Sequence, residues 1–224
     1  MKILLSLIVL LGFVGLASNI LIGPTQDRVS PAYFMWKANH ENELAINREL
    51  QKKILDKNFH YSQLELVEVA AGKKYYSLWG HLMLRFKGSG NKNNANQDLV
   101  LSFLADFNDY PIDNFKASTG GYTVLPKIGT IEQYKKEYEI NEGRSIQYYP
   151  IKASVAQKEK LLLILRQWIM KPELAQGYSF FYNNCVSLII KLLNESEVLP
   201  KKGLYGYWPK YVTAQLKAEG IIEL

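Results

Sequence analysis

The stretch Tyr178-Ser179-Phe180-Phe181-Tyr182-Asn183-Asn184-Cys185 decides how this chain is read. It contains the sole cysteine of the 224 residues. Val186, Leu188, Ile189, Ile190, Leu192 and Leu193 follow, interrupted only by Ser187 and Lys191. That pattern predicts a largely buried helix opening at Cys185. Asn183 or Asn184 suits the cap, because a short amide side chain accepts the free N–H groups of a first turn. A thiol there lies at the positive end of the helix dipole, which favours the thiolate, the nucleophilic form. The competing expectation is a small buried hydrophobe, the common state of a free cysteine. A catalytic thiol needs a proton acceptor from elsewhere in the chain.

Three histidines are available. His40 sits by a polar helix and His60 in a turn, and both read as solvated or structural. His81 differs. It follows Trp79-Gly80, and the apolar alternation from Leu82 predicts a strand opening just after the glycine. An imidazole on such a rigid element can take a thiol proton and pass it on. Strands are also predicted over residues 64–70, 99–104 and 145–151. Helices are predicted over 42–58, from Thr130 and Ser154 (each with a glutamine at capping-box spacing), and over 209–220. Residues 88–98 read as a polar loop. Residues 110–128 read as irregular, with a turn at Gly120-Gly121. The order of elements gives an α+β domain with a small, largely antiparallel sheet.

The length suits one domain, or one domain with an appendage. A net charge of +6 suits an anionic membrane surface. No dense Lys/Arg block or nucleic-acid motif is present, so no nucleic-acid partner is expected. One cysteine excludes an intramolecular disulfide framework, and zinc-type Cys/His spacing is absent, so neither metal nor cofactor is expected. Residues 3–22 are apolar apart from Ser6, Ser18 and Asn19. About 20 residues at about 1.5 Å each cross a bilayer core. Gly15-Leu16-Ala17 would suit cleavage of a secretory signal, but the run continues through Ile20-Leu21-Ile22, which favours a retained transmembrane anchor. Either way the bulk of the chain is exported. The expected organisation is an anchor or signal over 1–23, a linker over 24–40 and a catalytic domain over 41–224, on the outer face of a bacterial cytoplasmic membrane.

Trp79-Gly80-His81-Leu82-Met83-Leu84-Arg85 together with Tyr182-Asn183-Asn184-Cys185 resembles the circularly permuted papain-like superfamily, with its NlpC/P60 and lecithin–retinol acyltransferase-like branches. More closely, residues 75–193 are similar to the bacterial lipoprotein N-acyltransferase (Lnb) family. The segment Glu142-Gly143-Arg144-Ser145-Ile146-Gln147-Tyr148 looks like that family's acidic-Arg-aromatic segment, without its tryptophan. The resemblance implies a papain-like fold with a nucleophile helix and ping-pong acyl transfer. Cys185 would take an acyl chain from a membrane phospholipid as a thioester, and His81 would move the proton. The α-amino group of a lipoprotein's N-terminal diacylglyceryl-cysteine would accept the chain. Ser102, or Asp106 or Asn108 just beyond it, would orient His81. The Cys185 N–H, Tyr76, Ser77 and Asn184 are candidates around the oxyanion, and Arg85 for a lipid headgroup. The same fold also admits a peptidoglycan amidase or endopeptidase, and a non-catalytic envelope module would leave Cys185 merely buried.

Overall fold

The computed structural model describes residues 31–73, 77–90, 94–200 and 208–223. The expected anchor over 1–23 and the candidate Tyr76 lie outside the described residues. Among the described residues, no helix is long and apolar enough to cross a membrane.

The architecture is α+β. Six strands form one antiparallel sheet: β1 (Gln63–Val69), β2 (His81–Lys87), β3 (Leu99–Ala105), β4 (Tyr122–Thr130), β5 (Ile146–Pro150) and β6 (Gly177–Tyr178). Their spatial order is β5-β1-β2-β3-β4-β6. Alternation along the strands sorts the side chains between two faces. Leu66, Leu82, Leu84, Leu101 and Phe103 enter the larger core with helices α4 (Val155–Met170) and α5 (Cys185–Glu195). Val67, Val69, Met83 and Val100 face the other way, onto Ile131, Tyr134 and Tyr138. Those three come from the short helix α3 (Ile131–Lys135) and the π-turn after it, with Thr130 and Gln133 forming the expected capping box. Ser154 and Gln157 do the same for α4.

Two elements differ from expectation. Helix α1 runs Pro31–Leu55 and takes in much of the expected linker. Pro31 is its first residue, because the first turn of a helix has no use for the missing N–H. Residues 110–128, expected to be irregular, hold α2 (Asn114–Thr119), closed by Gly120 in the left-handed conformation, and most of the nine-residue strand β4. Pro126 hides that strand in the sequence. Beyond Thr123 β4 pairs only with β3, so proline sits on an open edge where no ladder donor is lost. Helix α1 covers the edge: Asn47 Nδ2 and Gln51 Nε2 donate to the Pro126 carbonyl at 3.2 and 2.7 Å. The Ile128 N–H donates to Asn47 Oδ1 at 2.7 Å.

One departure from regularity places the site. β2 pairs with β1 along its whole length, from Lys87 to His81. Its pairing with β3 runs only from Phe86 to Leu84, although β3 continues along β4 to Ala105. The sheet therefore splits between β2 and β3 at His81–Met83, leaving the main chain there free for other partners.

Candidate active site

Helix α5 brings Cys185 to the split. Asn184 caps it, its Oδ1 accepting from the Val186 and Ser187 N–H groups at 3.0 and 3.1 Å. Its Nδ2 donates to the Phe180 carbonyl at 3.0 Å. Leu188, Ile189, Leu192 and Leu193 are fully buried. Each contributes about 1.5–3 kcal/mol to fixing the helix. The Cys185 sulfur lies near the Leu82 N–H, in the stretch where β2 leaves β3.

His81, the first residue of β2, projects to the opposite face. There its Nε2 meets Ser102 Oγ at 2.7 Å across the same split, and both side chains are buried. The Tyr134 hydroxyl lies near the serine and donates to the Lys127 carbonyl at 3.4 Å, and the Tyr134 ring stacks on Tyr138 at 6.0 Å. Tyr138 in turn lies 6.0 Å from the imidazole. Thiol and imidazole thus enter one gap from its two sides, the sulfur near the main-chain N–H of the residue after His81. Among the described residues no hydrogen bond joins them directly. With Nε2 engaged by Ser102, Nδ1, the ring nitrogen nearer the main chain, is the one left for the sulfur.

Electrostatics set the resting protonation. Burial pushes the Cys185 thiol up to about 11. N–H groups from Leu82, Val186 and Cys185, and the charge of Arg144, pull the other way and lose. Burial also drives His81 down to about 3, with Arg144 and Lys127 adding to the effect. Both groups therefore rest neutral, the one a thiol and the other an imidazole. The helix dipole alone favours thiolate, but it acts here on a desolvated group, for which losing hydration outweighs a partial charge.

The other sequence candidates take different places. Asp106 lies 3.5 Å from His40 Nε2 and does not reach His81. Asn108 is exposed. The Asn184 side chain is occupied by capping. Ser77 is buried, and its carbonyl accepts from the Gly72 and Gly80 N–H groups at 2.8 and 3.0 Å, fixing the turn into His81. Arg85 does not face a headgroup. Its guanidinium is held by Glu65 at 2.9 Å and Asp98 at 2.6 Å in a largely buried ion cluster. The reason is Asp98, which was read as the end of a polar loop. Its other oxygen accepts from the Gly88 and Gly90 N–H groups, so the carboxylate folds inward.

Four groups near the site carry no chemistry that the sequence alone assigns. Tyr134 and Tyr138 line it; their spacing with Ile131 is the signal, a helical face three and seven residues on. The Tyr178 hydroxyl faces the Cys185 main-chain N–H. Arg144 is buried, with Nε on the Ala70 carbonyl at 2.7 Å and Nη1 on Glu142 at 2.7 Å. Its Nη2 is buried with no partner among the described residues, and its guanidinium lies 4.9 Å from the Tyr138 ring centre. Among the described residues no cluster of three or more potential metal ligands exists.

Fold and site together define an α+β domain with a helix-borne thiol and a strand-borne imidazole sharing one breach in an antiparallel sheet. Residues 50–212 match the family described as Lnb N-terminal periplasmic domain, and the chain belongs to that family, the lipoprotein N-acyltransferases of the envelope. The match supports a domain facing the periplasm. No curated protein and no solved structure matches the chain.

Proposed function

We propose that the protein transfers an acyl chain from a membrane phospholipid, through a Cys185 thioester, to the α-amino group of a diacylated lipoprotein N-terminus. What supports this is a Cys185 sulfur near the Leu82 main chain, at the β2–β3 split that the His81–Ser102 hydrogen bond spans, in a chain of the Lnb family. We assign the fold, in which the histidine strand precedes the nucleophile helix, to the permuted papain-like class. Residues 1–23 are taken as the anchor.

The neutral resting pair dictates general-base attack. As the sulfur bonds to the ester carbonyl carbon, His81 takes the thiol proton. The imidazolium, destabilised by burial, has a strong tendency to give that proton up. It passes to the leaving glycerol oxygen as the C–O bond breaks, releasing lysophospholipid. In the second half, the acceptor amine attacks the thioester and His81 takes its proton. Collapse to the amide expels sulfur, which recovers the proton. Ser102 holds Nε2, so the same nitrogen works in both halves. The Cys185 N–H and the Tyr178 hydroxyl are the donors we assign to the tetrahedral oxyanion.

The test is intact-protein mass spectrometry after incubation of the full chain with phospholipid vesicles. One acyl mass per chain, removed by hydroxylamine and absent from Cys185→Ala, is expected. Adding a synthetic diacylated lipopeptide should discharge the adduct and yield a triacylated peptide. No adduct on the wild type, or an equal one on Cys185→Ala, overturns the thioester. Cleavage of cell-wall peptides without lipid transfer would instead identify an amidase.

A further inference from the structure

We propose that the end of the sheet bearing Cys185 docks on the bilayer surface through an aromatic rim built from three segments: the start of α1, residues 110–115, and residues 180–182. Phe34, Met35, Phe115, Phe181 and Tyr182 each leave more than half of their surface exposed there. Large apolar groups scattered singly need no explanation, but a contiguous set does. Contacts tie the three segments that bear this set to one another. Tyr33 and Trp36 on α1 lie 5.9 and 5.5 Å from the Tyr110 ring. The chain runs from Tyr110 into α2, and α2 joins the third segment. Ser179 Oγ donates to the Ser118 carbonyl at 2.7 Å, and the Tyr182 hydroxyl donates to the Thr119 carbonyl at 2.7 Å. Tyr182 is followed two residues later by Asn184, the cap of the Cys185 helix.

The antiparallel order places the rim at the working end of the molecule. The start of β2, the end of β3 and the start of β4 lie together, so His81, the split and the rim share one end of the sheet. Two features select a lipid surface as the occupant. The apolar run over residues 3–22 is joined to α1 by residues 23–30 alone. Fully extended, these span at most roughly 30 Å, so a membrane holding that run keeps the start of α1 close. The rim is also aromatic rather than purely aliphatic, the composition favoured at the headgroup level. One of its carboxylates, Asp109, is paired with Lys116 Nζ at 2.8 Å. Repulsion from anionic lipid is correspondingly reduced. Docking in this orientation deepens the acyl-transfer reading, because it sets the thiol's end of the sheet against its donor; the docking evidence itself does not depend on that chemistry.

The test uses the full chain and its Cys185→Ala variant in bilayers of phosphatidylethanolamine and phosphatidylglycerol. A phospholipid with a diazirine near its headgroup is included, and adducts are mapped by peptide mass spectrometry. Labelling of residues 33–36, 112–115 and 180–182 should exceed that of residues 155–163 by about tenfold. Val155 and Leu163 serve as the comparison because they are equally exposed apolar groups. Combining Phe34→Ser, Phe115→Ser and Phe181→Ser should cut labelling of Met35 and Tyr182 by about tenfold. Equal labelling of residues 155–163, adducts confined to residues 3–22, or an unchanged map in the triple variant would each overturn docking through this rim. The map should be the same in Cys185→Ala. A rim that labels in a protein forming no thioester would refute the chemistry alone, and a thioester with an unlabelled rim would refute the docking alone.

Discussion

Alkylation of Cys185 by iodoacetamide should rise about tenfold per pH unit from about pH 6 to about pH 10 and show no plateau in between. An ordinary thiol titrates near 9.0, whereas burial holds this one at about 11. At neutral pH the thiolate fraction falls from about one in a hundred to about one in ten thousand, a cost of about 3 kcal/mol. His81, held near 3, supplies no imidazolium to offset that cost. The assay is the rate of mass gain on the intact protein across the pH series. Restricted access of the reagent scales every point alike, so the slope carries the information. His81→Ala should leave the slope unchanged, because a neutral imidazole adds no charge beside the sulfur. A plateau with its midpoint below about pH 8, abolished by His81→Ala, would show a preformed thiolate–imidazolium pair. It would refute the conclusion that burial governs this site.

Ser102→Ala removes the 2.7 Å partner of His81 Nε2; stability should fall by about 1–3 kcal/mol in urea titrations, and acyl transfer by about 10–100-fold because the ring loses its fixed orientation. Acid should destabilise the fold through the same histidine. Between 6.5 and about 3 the unfolded chain binds a proton that the folded protein refuses. Stability is thus fully present above about pH 6.5 and declines as pH falls to about 3, by about 3–5 kcal/mol, and urea midpoints for His81→Gln should flatten that slope. Arg85→Met should cost about 3–5 kcal/mol, because Asp98 is left buried without its cation and Glu65 keeps only Lys87, at 2.9 Å. In donor-competition assays it should leave the choice of phospholipid headgroup unchanged.

Elements whose signal is local were legible in the sequence. The helix opening at Cys185 announced itself through a cap and an apolar face, and the strand after Gly80 through its alternation. Both capping boxes form as spaced. Strand β4 was hidden because proline and glycine argue against a strand until its edge position is known. The start of α1 was hidden because Pro31 reads equally as a breaker or an opener. Arg85 was misplaced for a related reason: a cation on a half-exposed strand resembles a headgroup ligand until Asp98 and Glu65 are seen to converge on it from separate segments. The serine beside His81 was among three neighbouring candidates, and only the crossing of the split distinguishes it from Asp106.

The sequence by itself determined the chemistry available: one thiol at a helix start, one imidazole at a strand start, and the motifs that tie the chain to its family. Residue type and short-range periodicity are properties of the covalent chain, so they survive without a fold. Only the tertiary structure decided where those groups lie relative to one another. The parting of β2 from β3 lets the sulfur lie near the Leu82 main chain and opens the gap that Ser102 and His81 bridge. It also decided their protonation, because desolvation depends on everything packed around a group, and here it reverses what the helix dipole alone would favour.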